Sequence, residues 1–210
     1  GNVTMPLSVP EQFNGYQWAT ESSGKNENTS NQTISLILEA REQGFYNKAE
    51  DLLDSLIQQN DSLGWFYSFM RGNTRYLMAQ QLKSMEEKDH LQLTEYNSSP
   101  TLAYDLQQEV IYEGWEDARA DYNKALRVKP DQPYVWYNMA NAYLQERQYR
   151  KAIHHYSQAL RLDSSFHQAL FNRGLTFIYV KQTENGCMDM SKAGELGNKK
   201  AYEVIQRYCE

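Results

Sequence analysis

The sequence predicts an all-α fold, a helical solenoid of about four helix pairs closed by a C-terminal capping helix, and three observations carry that prediction. Small residues recur 34 positions apart, Ala118, Ala152 and Gly186 in one series and Ala125, Ala159 and Ala193 in another. Larger residues keep the same spacing: Tyr122, Tyr156 and Met190 lie between the two series, and Val128, Leu162 and Leu196 close each unit. Apolar residues also fall at helical spacing, as in Ala201, Val204, Ile205 and Tyr208. A fixed period of this length marks stacked supersecondary units, each burying its apolar face against its neighbours.

The elements follow in order. Residues 1–29 are expected to form a flexible polar tail, because Ser22 through Ser30 hold no apolar residue to offset the entropy of ordering. Its aromatic cluster, Phe13, Tyr16 and Trp18, reads as a loosely packed or mobile patch, or as a segment that folds back into the groove or docks on a partner. Residues 30–63 read as a degenerate first repeat, with Ile34, Leu36, Ile37 and Ala40 before a turn at Gly44, and Ala49, Leu52, Leu53, Leu56 and Ile57 after it. From Ala49 to Ala118 is 69 residues, about two periods, which allows an extra weak repeat or one repeat over 64–132 with an insertion near 83–101. The insertion is favoured. Trp65, Phe66, Phe69, Met70, Gly72, Tyr76 and Leu77 make a good first helix, whereas Lys83 to Asn97 offers only scattered apolar residues between charges. Two over-long helices around a polar loop at Asn97-Ser98-Ser99-Pro100 would absorb the stretch.

The fullest copy spans 133–166 and reads Trp136-x2-Met139-Ala140-x2-Tyr143, then Ala152-x3-Tyr156-x2-Ala159. Ala140 and Ala152 let two antiparallel helices approach closely, while Trp136, Tyr143 and Tyr156 are expected to be buried around that contact. Pro130 cannot continue a helical hydrogen-bond ladder and marks the end of the preceding second helix. The pattern resembles the tetratricopeptide repeat, and the resemblance implies a right-handed TPR-like stack. The next copy, 167–198, keeps Leu170, Gly174 and Phe177, but Arg173 replaces an expected apolar residue and predicts a looser core. Residues 199–209 read as a capping helix, with Lys199, Lys200, Glu203, Gln206 and Arg207 opposite its apolar stripe. The closing stretch from Gly186-Cys187-Met188-Asp189 through Leu196-Gly197 to Tyr208-Cys209 resembles that of small TPR proteins of Gram-negative bacteria.

Composition narrows the function. A formal charge of −6, with 21 scattered Lys and Arg, argues against nucleic acid as a partner. No run of 18 apolar residues exists to span a membrane. The chain starts Gly1-Asn2 without Met, which reads as the scar of a removed leader and points to an exported, periplasmic or lipid-anchored protein; Met5 as a true start, and the cytoplasm, form the competing account. Cys187 and Cys209 lie where three antiparallel helices could bring them together as a disulfide, or they pack as two reduced half-buried thiols.

No catalytic constellation is recognisable. His154 and His155 point about 100° apart on a helix and cannot share a metal as an i, i+4 pair could. There is no Gly-rich phosphate loop, Gly-x-Ser-x-Gly or Cys-x-x-Cys, and no cofactor is expected. Function is therefore expected in a concave groove lined by the first helix of each pair: Phe66, Phe69, Asn73 and Tyr76, then Tyr134, Tyr137, Asn141 and Leu144, then Gln168, Phe171, Leu175 and Ile178. The amides of Asn73 and Asn141 offer a donor and an acceptor suited to a peptide backbone, or are merely polar helix-surface residues. TPR domains that bind chaperone C-termini use Lys and Arg beside such Asn residues; here Phe69, Tyr137 and Phe171 stand in the neighbouring places, so that clamp is missing. The leading expectation is a non-enzymatic scaffold that binds a peptide segment of another protein, with Tyr137, Asn141 and Phe171 partly exposed. A cytoplasmic assembly factor and a subunit of an enzyme complex are the alternatives, and a second copy of the chain stays open as a partner.

Overall fold

The computed structural model describes residues 27–59, 63–93 and 101–209. Most of the expected tail, with Phe13, Tyr16 and Trp18, and the loop at 97–100 lie outside the described residues. The described residues form nine helices and no strand: α1 Glu27–Glu42, α2 Tyr46–Gln59, α3 Gly64–Leu93, α4 Thr101–Val128, α5 Pro133–Gln145, α6 Tyr149–Leu162, α7 His167–Tyr179, α8 Thr183–Glu195 and α9 Lys199–Tyr208. This is the all-α arrangement the sequence predicts, four helix pairs and a C-terminal helix. α1 takes in Glu27–Thr29, which the sequence assigns to the tail. The described residues up to Val128 belong to one compact unit and those from Lys129 to a second.

Turn chemistry explains why the chain reverses where it does. Gly44, Arg147, Lys181 and Gly197 all have left-handed backbones, with φ of 78°, 59°, 66° and 94°. Each is followed by a residue whose N–H reaches back to a carbonyl of the last helical turn: Phe45 to Ala40, Gln148 to Tyr143, Gln182 to Phe177 and Asn198 to Ala193. This is the Schellman arrangement that satisfies orphan carbonyls at a helix end. It ends the first helix of three pairs and the second helix of the last.

In the first unit α1, α2, α3 and α4 pack in chain order. α3 and α4 are 30 and 28 residues long against 13 and 14 for α5 and α6. Gly72 and Ala118 are 46 residues apart, while the equivalent Ala140 and Ala152 are 12 apart, so the longer pair carries 34 additional residues between the same two contact points. At its root Asp121, with no exposed side-chain surface, accepts from Arg71 Nε at 2.9 Å and Nη2 at 2.6 Å and from Arg75 Nη1 at 3.0 Å. Arg71 also pairs with Asp54, and Arg75 Nε with Glu50 at 2.7 Å, both on α2. The Asp121 hydrogen bonds raise the Arg71 pKa above its ordinary value against the opposing cost of burial.

The second unit packs α5 through α9 in chain order. Ala140, Ala152, Tyr156 and Ala159 are fully buried, as the pairing of α5 with α6 requires. Trp136 and Tyr143, expected inside that contact, are half-buried instead. Trp136 Nε1 donates to the Pro130 carbonyl at 2.8 Å, and the His155 ring lies 5.6 Å from Trp136 and 4.8 Å from Tyr143. Amphipathic rings at this edge keep their polar parts in reach of partners and water. Arg173 does not loosen the last repeat: its Nε and Nη2 grip Asp189 at 2.7 and 2.8 Å and its Nη1 donates to Ser157 at 2.9 Å, while Ala169, Leu170, Met190 and Ala193 stay buried. The fourth periodic series, Val128, Leu162 and Leu196, is exposed, because these residues end the second helices and do not face the core.

Cys187 on α8 and Cys209 after α9 are joined by a disulfide with Cα atoms 5.7 Å apart. It ties the terminal helix to the last pair across a separation of 22 residues. A loop of that size predicts that reduction lowers stability by about 3 kcal/mol. Urea melts with and without reductant check this; coincident curves would show that the bridge adds no net stability.

Candidate functional site

α3 carries Phe66, Phe69, Asn73 and Tyr76 on one stripe, since residues three or four apart share a helix face. All four are buried, at 1, 1, 6 and 3 % exposure, and the open face expected of them is not present. The reason lies on α4. The Tyr122 ring packs 6.1 Å from Phe69, and its hydroxyl donates to Asn73 Oδ1 at 2.9 Å. Burial drives the Tyr122 pKa far up, so this hydroxyl remains a donor. Arg41, at the end of α1, has its Nε shut from solvent without a hydrogen-bond partner, and burial lowers its pKa against the pull of Tyr122 and Tyr46.

In the second unit α5 carries Tyr134, Tyr137, Asn141 and Leu144, and α7 carries Gln168, Phe171, Leu175 and Ile178. Here the expectation of partly exposed Tyr137, Asn141 and Phe171 is corrected: they are 1, 2 and 7 % exposed, and Leu175 is buried with them. Tyr137 lies 4.8 Å from the Phe166 ring and 5.8 Å from Tyr156, which closes the space a ligand side chain would need. The accessible part is the border of the same face, where Tyr134, Leu144, Gln168 and Ile178 are half-buried. Tyr134 packs edge-on against Phe166 at 5.1 Å, and burial, with the Asp163 charge second, raises its pKa.

A polar network joins the three helices beneath that border. Tyr156 on α6 donates its hydroxyl to Asn141 Oδ1 at 2.6 Å, and Asn172 on α7 donates to Tyr137 Oη at 3.0 Å and to Asn141 Oδ1 at 3.3 Å. Asn141 Nδ2 is buried and has no hydrogen-bond partner. The pair Asn141–Tyr156 repeats the pair Asn73–Tyr122 of the first unit, so in both places the amide carbonyl expected to read a peptide is spent on a tyrosine of the second helix. The sequence pattern predicts neither Asn172 nor the hydrogen bonds of Tyr122 and Tyr156, because helical periodicity does not score a polar contact between helices.

Among the described residues no group of three or more His, Cys, Asp or Glu side chains is placed to hold a metal ion. His154 is exposed and its ring meets that of His155 edge-on at 5.3 Å. Among the described residues no helix is long and apolar enough to cross a membrane.

Comparison with known proteins agrees with this architecture. Residues 133–166 match the tetratricopeptide repeat model, and residues 114–146 match a second TPR repeat model. Residues 114–166 carry tetratricopeptide repeat sequence. The first match covers the α5–α6 pair, and the second runs from α4 into α5. Among curated proteins, human tetratricopeptide repeat protein 6 is 30 % identical over 67 residues, covering 32 % of this chain and 13 % of that protein. A lipoprotein NlpI homolog of Haemophilus influenzae is 28 % identical over 102 residues, covering 47 % of this chain and 32 % of that protein. The chain thus matches about a third or less of the length of these relatives. Among solved structures, the second TPR domain of human RPAP3, in complex with an HSP70 peptide, is 24 % identical with a TM-score of 0.44, covering 47 % of this chain and 83 % of that one. The Arabidopsis OM64 TPR domain is 22 % identical with a TM-score of 0.44, covering 50 and 84 %. The paired helices α5 and α6, which carry the first match, have the helix-turn-helix form of such a repeat.

Proposed function

We propose that this TPR chain is a non-enzymatic scaffold that holds an extended peptide segment of a partner protein against the α5–α7 face. The observation that carries the reading is the unpaired Asn141 amide nitrogen beneath a half-buried border of Tyr134, Leu144, Gln168 and Ile178. A buried donor without an acceptor costs about 1–3 kcal/mol, and a peptide carbonyl that reaches it as a border side chain turns aside would supply the acceptor. The half-buried aromatic and aliphatic side chains around it suit apolar side chains of the same peptide.

The exported or lipid-anchored location is the companion reading. A disulfide suits an oxidising compartment, and the curated relative from Haemophilus influenzae is named a lipoprotein. The cytoplasm is the alternative.

Partners co-purified with the native chain and identified by mass spectrometry supply the ligand for calorimetry. Tyr134→Ala with Ile178→Ala, at half-buried positions, is expected to weaken binding about tenfold or more with little change in melting temperature. Asn141→Ala is expected to weaken it by about 1–3 kcal/mol, measured well below the melting point because Tyr156 also loses its acceptor. Unchanged affinity in both variants would mean that the partner uses another surface, and the α5–α7 reading would be wrong.

A further inference from the structure

Between α6, α7 and α8 lies a cavity of about 270 Å³ that includes none of the residues of the proposed peptide face. Arg161, Arg173 and Lys192 line it, one from each helix, together with the single carboxylate of Asp189. Asp189 is already satisfied, since Arg173 holds both of its oxygens. Arg161 and Lys192 are exposed and form no ion pair with any described residue. Three cations against one carboxylate leave a local surplus of two positive charges in a chain whose formal charge is −6. The Arg173 guanidinium is locked in place by Asp189 and Ser157 and still has two of its five N–H groups unspent. Ser164, in the α6–α7 turn, adds a hydroxyl at the same wall, and Leu160 and Leu170 add an apolar one.

We infer that this cavity binds a phosphate monoester bearing a short apolar group. Charge selects the phosphate: a monoester carries about −1.5 to −2 near neutral pH and matches the surplus, whereas one carboxylate leaves a cation uncompensated. Geometry agrees, because a fixed guanidinium fork and a mobile ammonium are the usual pair for phosphate oxygens. The leucine wall selects the ester over the bare anion. A free phosphorylated metabolite and a phosphorylated side chain present the same group.

The test uses the full chain, labelled for amide NMR, titrated at constant ionic strength with inorganic phosphate, phenyl phosphate and a phosphotyrosine peptide. Phenyl phosphate is expected to give saturable shifts at Ser157, Arg173 and Lys192 and to bind about fivefold or more tighter than inorganic phosphate. Arg161→Gln with Lys192→Gln, both exposed, is expected to weaken it about tenfold while leaving the melting temperature in place. A peptide that binds tighter than phenyl phosphate assigns the site to a phosphorylated partner; a peptide that binds no tighter assigns it to a free ester. Absence of saturable shifts, or equal affinity in the double variant, would overturn the site. Equal affinity for phenyl and inorganic phosphate would overturn the ester.

Discussion

Asp121→Asn is expected to lower the unfolding free energy of the chain by about 3–5 kcal/mol, the largest effect of any single polar substitution described above. The carboxylate is fully buried and holds two guanidinium groups, Arg71 through both oxygens and Arg75 through one. An amide of the same shape retains one acceptor oxygen and turns an N–H₂ toward a cation, so Arg71 and Arg75 lose charge compensation in a place they cannot leave. Their remaining partners, Asp54 and Glu50, are partly exposed and compensate less. Asp51→Asn, at an exposed position on α2, is the control and is expected to stay within about 0.5 kcal/mol. Urea melts of the two variants decide it: equal midpoints would show that the network contributes no net stability.

Gly186→Ala is expected to destabilise by about 1–3 kcal/mol, opposite in sign to the usual gain of up to about 1 kcal/mol for this change inside a helix. A Cβ there would stand 2.7 Å from the Gly174 carbonyl oxygen, 2.6 Å from Ile178 Cγ1 and 3.2 Å from the Ile178 nitrogen. The Ile178 side chain can rotate away; the two backbone atoms cannot, so α7 and α8 must separate and lose packing around Met190. Gly64→Ala is the comparison, since a Cβ at that position meets nothing within 4 Å. Thermal melts should move down for the first and not for the second, and a Gly186→Ala midpoint at or above the parent would refute the close approach.

The buried part of the fold was legible because burial constrains volume at fixed places. Ala118, Ala152 and Gly186 sit where one helix backbone approaches another, and Ala125, Ala159 and Ala193 lie with Tyr122, Tyr156 and Met190 on the same buried faces. Val128, Leu162 and Leu196 keep the period yet are exposed, because position in a repeat recurs whether or not the side chain is covered. The candidate site was legible in its residues and misread in their exposure. A sequence records that Asn73 and Asn141 carry amides; it does not record that a tyrosine hydroxyl on the next helix takes up the carbonyl. Arg173 looked like a flaw because its partner Asp189 lies 16 residues away across a turn, where no periodic signal connects them. The stretch between Gly72 and Ala118 was ambiguous for an arithmetic reason: its 34 additional residues equal one full period, and only the course of α3 and α4 shows them shared between two helices.

That long helix pair also bears on the order in which the chain acquires structure. Bringing Ala140 to Ala152 or Gly174 to Gly186 closes a segment of 12 residues, whereas bringing Gly72 to Ala118 closes one of 46. Closure entropy for the longer segment is greater by about 1 kcal/mol, since the cost grows with the logarithm of length. The shorter hairpins therefore reach their native crossings at lower cost. The Asp121 contacts with Arg71 and Arg75 sit at the root of the long pair, the crossing with the greater closure cost. On that account the contact that secures the finished unit is expected to slow its unfolding more than it speeds the early steps of its assembly.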